Sequence, residues 1–200
     1  MSRTGALRRF LMRRTITLSL LAALVVAPSV AAQTVVIGSS RAQACYQSSL
    51  SPITSHTAVT TCRAALNEDA LPSRDRAATH SNMGILLARL GRDSEAMASY
   101  NSALRINPDL AEAYINRGGL WLNSDETLQR AIEDYETAIR LGGSDVHIAH
   151  LGRALARERA GDLEGAYSDL VTALEIEPGW DRAEQELARY SVVSSNGASS

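Results

Sequence analysis

Self-similarity at a fixed interval constrains this chain more than any other feature. The string Ala96-x3-Tyr100-x2-Ala103-Leu104-x3-Pro108 returns as Ala131-x3-Tyr135-x2-Ala138-Ile139, then as Ala166-x3-Leu170-x2-Ala173-Leu174-x3-Pro178. Ala96 to Ala131 is 35 residues, and Ala131 to Ala166 is 35 again. A period of this size marks stacked units, each able to bury its apolar face only against its neighbours. Within each string the apolar residues fall three and four apart, which selects helix over strand. With two Trp, six Tyr and one Phe in 200 residues, the core must come mainly from Ala, Leu and Ile, which favours closely packed helices.

A second helical pattern precedes each string: Asn82-Met83-Gly84-x2-Leu87, then Tyr114-x-Asn116-Arg117-Gly118-x2-Trp121, then Gly152-Arg153-Ala154. Small residues at 84, 118 and 154 let two antiparallel helices approach closely. Gly91-Arg92 and Gly161-Asp162 supply turns between paired helices, and Pro108 and Pro178 stop the second helix of a pair.

These residues resemble the tetratricopeptide repeat family, whose signature is an aromatic, Leu-Gly, an aromatic, then Ala-x3-aromatic and a closing Pro. The resemblance implies an all-α, right-handed superhelical stack of about three and a half helix-turn-helix units with a C-terminal capping helix. The units are expected at 77–110, 111–145 and 146–180, the cap at 181–190, and a polar, disordered tail at 191–200. The second unit has a longer turn around Asn123 to Arg130 and Gly143 in place of the Pro; the third has Ala154 for the signature Gly and Leu170 for the aromatic. Residues 33–76 carry a degenerate half unit, in which Ala58-Val59-x2-Cys62-x2-Ala65-Leu66 reads as a second helix with Cys62 in the aromatic slot and a degenerate first helix, held by Cys45, is expected within Arg41 to Ser49.

The first 32 residues hold five Arg and no acid, followed by an apolar run Ile16–Ala27, Pro28 and the small-residue end Val30-Ala31-Ala32. This is the layout of a secretory signal peptide cleaved after Ala32, the alternative being a retained anchor. It implies a periplasmic or secreted protein with no integral span in the mature chain. Residues 33–200 carry 15 Arg against 22 Asp and Glu, a net −7, which argues against a nucleic-acid partner. In an oxidising compartment the only cysteines, Cys45 and Cys62, would close a loop of about 17 residues, contributing on the order of 3 kcal/mol. Two buried free thiols are the alternative.

The resemblance also implies a concave face built by the first helices, which in the family holds an extended peptide or a partner helix. Carried over by position, that face is Ser81, Asn82, Ile85 and Arg89, then Ile115, Asn116, Gly119 and Leu122, then Leu151, Leu155 and Glu158. Asn82 and Asn116 share a slot where an amide either holds a peptide backbone or bridges two helices. Some family members grip a C-terminal carboxylate through Lys, Asn and Arg. This chain has no Lys, and Ser81, Ile85 and Gly152 stand at clamp positions, so no such clamp is expected. The apolar floor favours an apolar segment, and the chain's own Gln33–Gly38 is a candidate occupant. Arg117 and Arg153 recur beside the small residue, where pairing with an acid on the adjacent helix is the commoner use.

No catalytic constellation emerges. His147 and His150 stand three apart without a third metal ligand, and no phosphate loop, nucleophile elbow or cofactor motif is present. The expected function is therefore a non-catalytic interaction scaffold with no cofactor and no metal. The alternatives are a weakly self-associating structural protein or a metal-dependent accessory enzyme.

Overall fold

The computed structural model describes residues 11–14 and 40–193. The remainder of the expected leader, Gln33–Gly38 and residues 194–200 lie outside the described residues. Four antiparallel hairpins follow one another: α1 (Ser40–Leu50) with α2 (His56–Glu68), α3 (Ser73–Arg89) with α4 (Asp93–Ile106), α5 (Ala111–Trp121) with α6 (Leu128–Leu141), and α7 (Val146–Arg159) with α8 (Leu163–Ile176). A short helix α9 (Asp181–Leu187) closes the stack. The segment expected to hold a degenerate half unit supplies two full helices, α1 running one residue beyond the expected 41–49 at each end. The extra residue of the third hairpin's turn falls beside a 3-10 turn at Asp125–Thr127.

Each turn is built as its residues require. At Gly91 (φ +70°) and Gly161 (φ +89°) the chain leaves the helix in the left-handed conformation. The next amide then reaches back to close the helix end, Arg92 to the Leu87 carbonyl at 2.9 Å and Asp162 to the Arg157 carbonyl at 2.8 Å.

What holds each hairpin closed is a single cross-helix contact repeated along the stack. A Cβ on Gly84 would lie 2.7 Å from Cδ1 of Tyr100, whose side chain is buried. Tyr135 occupies the same slot in the third hairpin, against Gly118 on its own first helix and Gly152 on the next. Ala154 and Leu170 take that slot in the fourth hairpin. In the first, the slot holds the disulfide Cys45–Cys62, with both residues wholly buried. The two partners are 16, 17, 16 and 17 residues apart for Gly84–Tyr100, Gly118–Tyr135, Ala154–Leu170 and Cys45–Cys62. The covalent bond is thus one instance of a repeated packing motif.

Outside the stack, β1 (Leu11–Arg14) pairs antiparallel with β2 (Tyr190–Val193), Leu11 opposite Val193 and Arg14 opposite Tyr190. Residues 191–193, read as the start of a polar tail, are thus extended and paired. Tyr190, Val192 and Val193 are aromatic and β-branched side chains that suit a strand. Among the described residues no helix is long and apolar enough to cross a membrane.

Candidate docking groove

Along the stack α1 touches α3, α3 touches α5 and α5 touches α7, whereas among the described residues no comparable contact joins successive second helices. The closer spacing of the first helices makes their side the inner, concave one.

The expected concave residues divide sharply by burial. Ser81 and Asn82 are wholly inaccessible, and Ile85, Ile115 and Leu151 are no more than 4% exposed. None of these five presents side-chain surface to a partner. Asn82 Oδ1 accepts a hydrogen bond from Ser49 Oγ at 3.4 Å, so the amide joins α3 to α1. The reason is visible in the equivalent slot of the fourth hairpin, where Gly152 abuts Tyr135. In both of these hairpins the slot points at the preceding hairpin, which covers it. Arg89 is likewise engaged, its guanidinium donating to the carbonyls of Ser49 at 2.8 Å and Ser51 at 2.9 Å. Glu158 accepts from Arg189 at 2.6 Å, beyond α9. Leu155 is half-buried against the cluster of Leu151, Ala154 and Leu170, which Trp180, Leu187 and Tyr190 also cover.

The middle of the groove is left. Asn116 and Leu122 are half-buried on and just after α5, and Gly119 lies between them. A Cβ on Gly119 would meet only the Tyr135 hydroxyl, 3.9 Å away, so there is room above this residue. At the start of α5, Glu112 is half-buried; burial, then the charge of Asp145, push its carboxyl above the ordinary range.

Two interaction sets complete the site. One was foreseen: Arg117 makes a two-bond fork to Asp134 at 2.8 and 2.7 Å, and Arg153 the same to Asp169 at 2.9 and 2.6 Å. Both pairs close a hairpin from within, so these arginines are committed inside the stack. Asp169 also takes His150 at 3.0 Å and Arg157 at 2.8 Å. Burial alone would raise its pKa; the bonds from His150 and Arg153 and the Arg153 and Arg157 charges outweigh this and lower it. The other set is invisible to motif matching. Arg89, Asn123 and Arg159 end successive first helices and each reaches back one unit, Asn123 to Asp93 at 3.2 Å and Arg159 to Asp125 at 3.0 Å. Arg and Asn share no signature letter, and their 34- and 36-residue spacing straddles the period.

The histidines do not converge. His147 bonds the Ser144 carbonyl at 3.1 Å and stands edge-on to Trp180, while His150 is held by Asp169.

Residues 84–120 match the family model described as the TPR repeat. The second TPR domain of human RPAP3, solved in complex with HSP70 peptide SGPTIEEVD, superposes with a TM-score of 0.55 at 27% identity, covering 59% of this chain and 97% of that one. The architecture is that of a tetratricopeptide-repeat stack. The first TPR of Spaghetti (RPAP3), bound to HSP90 peptide SRMEEVD, gives a TM-score of 0.53 at 26% identity over 56% of this chain and 90% of that one. A MamA RS-1 ArsTM double mutant covers 76% of this TPR-like chain and 83% of its own at 20% identity, with a TM-score of 0.58. No curated protein matches in sequence.

Proposed function

We propose that this chain is a non-catalytic interaction scaffold, exported to the periplasm or beyond, that holds a protein segment across the middle of its concave face. The observation carrying this reading is the space above Gly119, where an added Cβ would meet only the Tyr135 hydroxyl at 3.9 Å, on a floor otherwise closed by the chain's own contacts. Support comes from the RPAP3 TPR domains, which hold short peptides on the same fold. Leu122 and Leu155 offer apolar contact, and Gly119 admits a side chain or a closely approaching backbone. The absence of Lys and the engagement of Arg89 and Arg117 leave recognition to apolar contacts rather than to a carboxylate clamp.

Photo-crosslinking residues placed at 119 and 122 test the reading in cells. The expected result is a cross-link from both to one segment of another protein, with none from position 98, exposed on α4. Cross-links confined to the chain's own residues 33–38 would mean a self-filled groove and end the scaffold reading. Equal capture from position 98 would count against the groove.

A further inference from the structure

The first hairpin docks on α3 mainly through small side chains. On α1 only Ala42, Cys45 and Ser49 are buried, and on α2 only Ala58, Val59, Cys62 and Ala65. The α3 face they dock on buries Ile85, Leu86 and Leu87 in one turn. Between α1 and α3 the side-chain hydrogen bonds are polar exchanges that water can replace: Ser49 to Asn82, and Arg89 to the Ser49 carbonyl. The covalent bond stands where the other hairpins have Gly–Tyr or Ala–Leu packing.

Reduction changes that slot in one direction only. Two thiols cannot remain at bonding distance; their sulfurs must move apart to van der Waals contact, roughly 3.5–4 Å. Both cysteines are wholly buried in a cluster with Val59, Ile85, Leu86 and Tyr100, so the movement takes place inside a close-packed interior. No covalent bond then ties α1 to α2, and α1, an 11-residue helix with neither an acid in its first turn nor a base in its last, has little intrinsic stability.

We infer that docking of the α1–α2 hairpin is conditional on oxidation of Cys45 and Cys62, so that the stack is completed only in an oxidising compartment. The oxidant is a small-molecule or protein disulfide: thiol–disulfide exchange transfers two electrons and two protons from the cysteine pair to it, forming the Sγ–Sγ bond and releasing a dithiol or two thiols. In the reduced chain Ser81, Asn82 and Arg89 lose their cover, and the first-helix face of α3 becomes an open rung. The inference concerns how the stack is assembled and does not depend on what the groove binds.

Amide hydrogen exchange on the full chain tests it, comparing the oxidised form with chain refolded from urea into dithiothreitol. Exchange across 40–68 is expected to rise by at least about tenfold on reduction, while 77–187 stays within about twofold, because a locally opening unit reports its own free energy. The double variant Cys45→Ala/Cys62→Ala is expected to show the reduced pattern without reductant. Equal protection of 40–68 in the oxidised and reduced chains overturns the inference. So does a protected Ala/Ala variant, or a loss of protection that spreads equally over 77–187.

Discussion

At Gly84 the hydrogen replaced by any other side chain points into the Tyr100 ring, and the ring has nowhere to go because it is itself buried. Gly84→Ala is therefore expected to destabilise by about 1–3 kcal/mol, as over-packing does in closed interiors, read as a lower urea midpoint at unchanged helical content. Gly91→Ala has open space around it but a positive φ, so its cost is backbone strain instead of collision. Asp169 is the other residue on which much depends, since two guanidinium groups and the His150 ring converge on one carboxylate that is 3% exposed. Asp169→Ala leaves Arg153 and Arg157, both partly buried, with only their longer contacts to Glu136 at 3.8 and 3.6 Å and, for Arg157, to Asp162 at 3.7 Å, an expected loss of about 1–3 kcal/mol. The same geometry sets a pH dependence. The folded pKa of Asp169 lies below its unfolded value, so its contribution is fully present above the unfolded pKa. It is lost as pH falls through the folded pKa, on the acid side of the usual Asp range. Urea midpoints of wild type and Asp169→Asn should converge there, and a gap that persists at the lowest pH would refute the assignment.

Hairpins, unlike single residues, were readable from letter patterns wherever the contact that closes them uses the family's letters. Gly84–Tyr100 and Gly118–Tyr135 announce themselves, and even Ala154–Leu170 survives as a small–large pair at the right spacing. A cysteine in the small-residue slot has no signature, which is why α1 is expected only as a degenerate helix held by Cys45 and not as one side of a closing contact like the others. The groove failed for a different reason. Whether position 82 or 115 is open depends on what the neighbouring hairpin and the C-terminal segment place over it, and the period of one chain segment does not encode its neighbour's cover. Gly152 shows the limit well: its small size serves Tyr135 of the preceding unit, a contact between repeats that within-unit spacing cannot display. The equivalence of the four closing contacts makes its own prediction at this scale. Cys45→Gly/Cys62→Tyr rebuilds the first hairpin with the Gly–Tyr packing of the second, and protection of 40–68 should then be the same with and without dithiothreitol.

Over the whole molecule, each hairpin touches only its neighbours and the chain is closed at both described ends by polar helices: Arg41, Gln43 and Gln47 are exposed on α1, and Asp181, Glu184 and Gln185 on α9. Among the described residues Ile53 and Ile176 are the exposed large apolar side chains, and neither belongs to a patch of the size that drives association. Light scattering is expected to give the mass of one chain across a wide concentration range; a mass that climbs with concentration would point to pairing of ends. A linear array also dictates how damage combines. Gly84→Ala and Gly152→Ala strain separate rings, Tyr100 and Tyr135, so their costs should add to within about 0.5 kcal/mol. Gly118→Ala and Gly152→Ala press on one ring from two helices, with the added Cβ atoms at 3.0 Å from Tyr135 Cζ and 2.7 Å from its hydroxyl. A single methyl is relieved by moving the ring towards the opposite glycine; two methyls leave it no such escape. The double variant should therefore lose about 1 kcal/mol more than the sum of the singles in a urea double-mutant cycle. Simple additivity at that pair would mean that Tyr135 does not couple the two hairpins, and that the stack is joined elsewhere.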